Sequence, residues 1–296
     1  MNGLLAAQLL TLHKGQAGSG PLSPRLWSKA RSGALTPDGS GGSVEHFDDF
    51  TNFGKQTVTS VVGESGTLGS GYHAYIEVDA TPGSIENVAG KPGGVIKLLM
   101  STDSADGDNH DTVLTTGGNV GTLGAISDTA GDDKLTIFEA RIQLPSVTDG
   151  DGSVFVGLGE EGLAAANTPI VDSTGHTLSS DDLIGFFVGE DDNDALKFVY
   201  RKNGAALQTV LTYGTALAAD TWYNVGFVYD PKAPESNRIS IFVNNVEQST
   251  YVTATNIAAS TFPDGEHLAL VAAIKASANA DAQSVLMDSW AFYQAR

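Results

Sequence analysis

At 296 residues, the chain is long enough to bury a substantial core, and it has no cysteine, which excludes disulfides and thiolate metal sites. Acidic residues outnumber basic ones 35 to 16, and the net charge of −19 argues against nucleic acid as a partner, because each phosphate contact needs a cation. No run approaches the ~20 apolar residues of a membrane-spanning helix, so no membrane contact is expected.

The chain opens with a segment unlike the rest. Residues 1–43 carry Lys14, Arg25, Lys29 and Arg31 against Asp38 alone, a local balance of +3 that leaves −22 on the remainder. Such a basic arm on an acidic body can seek an acidic surface. Leu4, Leu5, Leu9, Leu10 and Leu12 would cover much of a short helix, and a helix of that length is marginal alone. The stretch is too short to span a membrane and lacks a preceding basic region, so it reads as a poor signal peptide. Gly15 to Gly42 is Gly, Ser and Pro with isolated apolar residues, chiefly Leu22, Leu26 and Trp27. This is linker composition, which builds no core. An arm of this kind orders only on a neighbouring chain or on the body. Each large apolar anchor stabilises by about 1.5–3 kcal/mol. Ordering costs about 1–2 kcal/mol per residue, so main-chain hydrogen bonds or exchange between symmetric copies must help. Leu4, Leu5, Leu9, Leu10 and Trp27 are the candidate partner-binding residues.

From Val44 onwards, strand-like runs alternate with turn clusters. Tyr72 to Val78 alternates, with Tyr72, Ala74, Ile76 and Val78 on one face. Gly94 to Met100 reads as a more buried strand. Leu135 to Leu144 puts Phe138, Ala140, Ile142 and Leu144 on one face, and Ser153 to Leu158 follows the turn Asp149-Gly-Asp-Gly152. Further strands are expected at Leu183–Val188, Leu196–Arg201, Leu207–Tyr213, Trp222–Tyr229, Arg238–Val243, Val246–Val252, Leu268–Lys275 and Val285–Tyr293. Asn203-Gly204 signals a two-residue hairpin, and Asn244-Asn245 signals a turn. Many strands with Gly, Asp, Asn and Pro punctuation predict an all-β, antiparallel sandwich over 44–296 behind an extended arm over 1–43.

Asp220-Thr-Trp-Tyr-Asn-Val-Gly-Phe-Val-Tyr-Asp230 followed by Asn237-Arg-Ile-Ser-Ile-Phe-Val-Asn-Asn245 resembles the paired strands of concanavalin A-like, laminin G-type jelly rolls. Leu286-Met-Asp-Ser-Trp-Ala-Phe292 is similar to that family's closing strand, and Phe47-Asp-Asp-Phe50 to its opening one. In its Gly-rich, acidic, cysteine-free texture and its arm, the chain also resembles jelly-roll proteins encoded among the structural genes of tailed bacteriophages. That resemblance implies a non-enzymatic virion component, a capsid decoration or cement protein. Its partners would be the major capsid protein or other virion subunits, as a homo-oligomer. A carbohydrate-binding, lectin-like module with a glycan partner is the alternative.

Catalytic and metal chemistry find little footing. Glucanases of this class resemble one another in a Glu-x-Asp-x-x-Glu or Glu-x-Asp-x-Glu strand, which sets two carboxylates on one face. Here Glu77-Val-Asp79 is followed by Ala80, Thr81 and Pro82, so no catalytic residue is assigned. Asp103, Asp106, Asp108 and Asp111 crowd one loop and Glu190, Asp191, Asp192 and Asp194 another, but neither has EF-hand spacing. No metal ligand and no cofactor is expected. His13, His46, His73, His110, His176 and His267 form no paired motif, no Gly-x-Ser-x-Gly elbow is present, and Gly66 to Gly71 lacks the Lys and helix of a phosphate loop. Trp222 and Trp290 are expected in the core, which leaves Tyr213 and Tyr251 as aromatic platforms for a sugar.

Overall fold

The computed structural model describes residues 23–28, 43–50, 65–68, 72–76, 84–91, 94–99, 111–116, 123–148, 152–160, 169–171, 177–190, 195–276 and 283–295. Among the described residues, a helical turn, α1 (Pro24–Trp27), comes first. The strands then run β1 (Ser43–Asp48), β2 (Ser65–Leu68), β3 (Tyr72–Ile76), β4 (Ser84–Asn87), β5 (Ile96–Leu99), β6 (Asp111–Thr115) and β7 (Gly124–Ala125). Next come β8 (Thr136–Leu144), β9 (Gly152–Glu160), β10 (Ile170–Val171), β11 (Thr177–Leu178), β12 (Leu183–Val188), β13 (Lys197–Arg201) and β14 (Gln208–Thr212). The chain closes with β15 (Thr221–Tyr229), β16 (Ile239–Val243), β17 (Val246–Val252), a short helix α2 (Ala254–Ile257), β18 (His267–Ala276) and β19 (Ser284–Ala295).

Two antiparallel sheets pack face to face. The first has the order β17-β16-β15-β8-β19-β5-β4, with β1 also paired to β19. The second runs β14-β13-β12-β9-β18-β6-β3-β2, with β7 on β18. The alternation expected of Leu135–Leu144 holds: Phe138, Ala140, Ile142 and Leu144 enter the core, where Phe138 meets Phe227 and Phe227 meets Phe198 from the opposite sheet. The first sheet contributes Val225, Ile241 and Phe292; the second answers with Val156, Phe186 and Leu270.

The outer faces are not simply solvated. The two-stranded hairpin of β10 and β11 drops Ile170 and Leu178 onto Phe155, Leu183, Phe187, Val199, Val271 and Ala273 of the second sheet. All six residues of β12 are therefore buried, a run that pure alternation does not produce.

The turns divide. Asn244 and Asn245 both take positive φ (50° and 65°), the geometry of a two-residue hairpin turn, between β16 and β17. The two-residue hairpin expected at Asn203-Gly204 is corrected: residues 202–207 all lie between β13 and β14. The turn itself is present, with Asn203 and Gly204 at its centre and the Ala205 N–H closing on Lys202 O at 2.8 Å, but it lies inside this longer connection between the paired strands, where the Gly204 N–H also reaches Ser180 O at 2.8 Å and the Asn203 N–H reaches Asp182 Oδ1 at 3.0 Å. Ser65–Leu68, within a Gly-rich stretch, pairs as a strand with β3.

Candidate functional site

The arm residues 23–28 form one helical turn seated on the outer face of the first sheet. Pro24 occupies the first helical position, where its fixed φ favours the turn and its missing N–H is no loss. The Trp27 N–H closes the turn on Ser23 O at 3.0 Å. A four-residue helix has no stability of its own, so what it touches must hold it.

Leu26 is fully buried among Ile137 of β8, Val228 of β15, Phe242 of β16 and Tyr293 of β19, with Trp27 and Ala295 packed at the rim. Its socket exists because position 226 is glycine: a Cβ there would lie 2.6 Å from Leu26 Cδ1. Beside the socket stands Glu139, 3% exposed. Its carboxylate accepts the Ser23 N–H at 3.0 and 3.1 Å, the Ser23 hydroxyl in a short bond, and the Trp27 indole N–H at 2.5 Å. Arg25 reaches Glu247 of β17 at 2.7 Å, an exposed pair that contributes little.

Burial pushes the Glu139 carboxyl above its ordinary range, and the bonds from Ser23 and Trp27 pull the other way. The cation nearest in sequence, Arg141, two residues along β8, pairs with Asp288 at 2.7 Å. The arm is thus read by a buried carboxylate that takes three N–H and O–H donors, and by a hole shaped for one leucine. These contacts hold one short segment of the chain against the sheet by shape and hydrogen bonds.

Trp27, the one candidate partner-binding residue among the described residues, lies on its own chain's sandwich. Leu4, Leu5, Leu9 and Leu10 lie outside the described residues, as do Glu77, Asp79, Asp103, Asp106, Asp108, Asp191, Asp192 and Asp194. Asp111 opens β6 rather than sitting in a loop, and the Glu190 N–H bonds to Ser153 Oγ at 3.0 Å. Among the described residues no group of three or more His, Asp or Glu is placed to hold a metal ion. Trp290 is in the core as expected. Trp222 is not: it is half-buried on the outer face of the first sheet, with the Arg141 guanidinium 4.7 Å from its ring centroid. Tyr213 packs against the core edge, and Tyr251 is half-buried in β17.

Two polar clusters went unread in the sequence. At the end of β9, Glu160 shares a side-chain hydrogen bond with Asp182, and the Asp182 N–H reaches Glu160 Oε2 at 3.3 Å. Burial first, then the neighbouring Asp181 and Asp182, push Glu160 up to about 7 against the pull of the Asp182 N–H. Carboxyl groups in direct hydrogen-bond contact are closer than the ~5–9.5 Å that glycoside hydrolysis requires between its pair. The pair therefore acts on stability. A carboxyl raised in the folded state contributes stability fully present below its unfolded range and lost as pH rises through the folded value. The melting temperature is expected to fall as pH rises from about 4.5 towards about 7 and to level off above that. Glu160→Gln should flatten that slope; an unchanged slope in the variant would assign it elsewhere.

The second cluster is a cleft of about 160 Å³ at one end of the sandwich, lined by Asp128, Asp133, Tyr229, Pro231, Arg238 and Ile257. The Tyr229 hydroxyl donates to Ser127 O at 2.6 Å, and burial together with Asp133 pushes it up to about 12. Arg238 Nη1 donates to the carbonyls of Pro231 and, at 2.7 Å, Ala233.

Two antiparallel sheets stacked in this way, with the first and last strands paired, form a concanavalin A-like jelly roll. Peanut lectin superimposes with a TM-score of 0.51 at 12% identity, over 86% of this chain and 97% of the lectin. A Bacillus licheniformis β-glucanase matches at TM-score 0.45 and 11% identity, covering 84% of this chain and 97% of the enzyme. A carbohydrate esterase of the Shiga toxin-encoding bacteriophage phi24B matches at TM-score 0.40 and 14% identity, over 75% of this chain and 89% of the esterase. No protein-family model and no curated protein sequence matches the chain. A likeness at this level of identity shows the fold alone, and function has to be argued from this chain's own residues.

Proposed function

We propose that this chain is a non-catalytic structural protein of a virus particle, a capsid decoration protein whose arm ties it to neighbouring subunits. The observation that carries the reading is the docked root of the arm. Ser23–Ser28 is clamped to the sandwich at Glu139 and the Leu26 socket, which supports an arm rooted on the body, and the leucines at 4, 5, 9 and 10 are the residues proposed to contact neighbours. The arm is basic and the body strongly acidic, which keeps bodies apart and leaves the arm to make contact. Bridging two neighbours adds binding free energy that opposes expansion of a shell.

The test is a truncation that spares the anchor. A chain lacking residues 1–22 should fold and melt like the full chain, because its anchor and sandwich are intact, yet fail to enter particles assembled from the coat proteins of the same virus. Incorporation at the full-chain level would overturn the proposal. Glycan binding is the second reading, favoured by the cleft, where Asp128, Asp133 and Arg238 offer acceptors and donors to hydroxyl groups beside the apolar surfaces of Pro231 and Ile257. A glycan array, with and without calcium, distinguishes the two. Specific binding that disappears in Asp128→Ala would move this reading to first place.

A further inference from the structure

We infer that the socket on the outer face of the first sheet is an exchange site, able to take the Ser23–Ser28 anchor of a second copy of this chain in place of its own. The inference deepens the particle-component reading and rests on it for the crowded setting in which exchange occurs. In an exchanged pair the partner copy supplies Ser23, Leu26 and Trp27, without which Glu139 loses its donors and the hole over Gly226 its leucine.

Three observations support it. First, the contacts that recognise the anchor lie within residues 23–28 and within the sandwich, so they are the same whichever chain donates the segment. Second, the connection is far longer than docking in the same chain needs. Ser43, where β1 begins, is the register partner of Ala295, and Ala295 packs against the same cluster that holds Leu26. Two points on one small side-chain cluster are on the order of 15 Å apart, which about five residues can cross. Residues 29–42 provide fourteen, with a reach of about 50 Å. That reach exceeds what the body's own socket requires, and the surplus is what the proposal assigns to the socket of a copy held alongside. Third, Arg25 on the anchor meets Glu247 on the body, so the anchor's charge is matched by a group on the surface of every copy.

A chain's own anchor competes for its socket at an effective concentration on the order of millimolar, set by the fourteen-residue connection. In dilute solution the closed monomer therefore prevails. Where copies are held side by side, a neighbour's anchor is present at comparable concentration, and exchange stitches the copies together.

Complementation between two full-length variants tests this. Leu26→Asp keeps the socket and disables the anchor; Glu139→Arg keeps the anchor and disables the socket. Both positions lie on the outer face, so the sandwich is expected to fold in each; a single cooperative melt checks this, and Phe242→Arg replaces Glu139→Arg if it does not. Each variant alone should sediment as a monomer. Their equimolar mixture should form a heterodimer, with a dissociation constant at least about tenfold below that for wild-type self-association, because no anchor in cis competes. Trp27 should become shielded from a soluble quencher only in the mixture and in the wild type. A mixture that stays monomeric at millimolar concentration while wild-type Trp27 is shielded would overturn exchange. So would equal quenching of Trp27 in wild type and in Glu139→Arg. Either result leaves the incorporation test of the 1–22 truncation standing, so the two readings fail separately.

Discussion

Replacing Trp290 with alanine is expected to destabilise the sandwich by about 3–5 kcal/mol, the range for deleting a buried aromatic side chain. At roughly 2–4 °C per kcal/mol for a domain of this size, the melting temperature should drop by about 6–20 °C. Trp290 is fully buried on β19, the strand that joins β8 to β1 and β5. Its ring meets Phe50 at 5.9 Å between centroids and His46 at 6.4 Å, edge to face. Phe50 sits at a φ of 55°, a left-handed conformation that costs a non-glycine residue about 1–2 kcal/mol. Two contacts offset that cost: its N–H bonds to Asp48 Oδ1 at 2.6 Å, and its ring is buried against Trp290. Removing the indole therefore empties a core volume and also releases the residue that terminates β1. Trp222→Ala is the control. Trp222 is half-buried on an outer face beneath Arg141, and its loss should cost little more than its cation–π contact, about 0.5–1 kcal/mol. Equal losses from the two substitutions, measured by chemical denaturation, would show that the core does not centre on β19.

Gly157→Ala and Gly185→Ala are expected to be as damaging, although each adds one methyl group. The two glycines are register partners on β9 and β12. A Cβ on Gly157 would lie 2.4 Å from Ile184 O and 2.6 Å from Gly185 Cα; on Gly185 it would lie 2.5 Å from Val156 O and 2.7 Å from Gly157 Cα. Those neighbours are backbone, so no side chain can rotate away and the strands themselves must part. Overpacking of this kind reaches or exceeds about 3 kcal/mol. The same glycines leave room for the Phe155 ring, whose Cζ lies 3.1 Å from the Cβ position of Gly185, and so for the apolar layer beneath the β10–β11 hairpin. Gly214→Ala should show no such penalty, since nothing lies within 4 Å of its Cβ position. Matching melting curves for the 157 and 214 variants would refute the close approach of the two strands.

The sequence by itself determined the fold class and most of the long strands. Leu183–Val188 and Val246–Val252 match residue for residue, and β8, β9, β15, β18 and β19 differ only at their ends. The reason is local: β-branched and aromatic residues at alternating positions, bounded by Gly, Asp and Asn, state their conformation without reference to the rest of the chain. The short strands β4, β6, β7, β10 and β11 were not legible, because two to five residues carry too little alternation. They become strands only when β5, β18 or each other supply hydrogen-bond partners. The need of the arm for a supporting surface followed from its composition. Which surface, for Ser23–Ser28, did not: Ser23 and Glu139 are 116 positions apart, and the socket needs β8, β15, β16 and β19 assembled side by side. A lone Glu in an alternating strand and a Gly within Val-Gly-Phe look like solvent-facing and neutral positions in the text. Only the packed sheet turns the first into a buried acceptor and the second into the hole that a leucine fills.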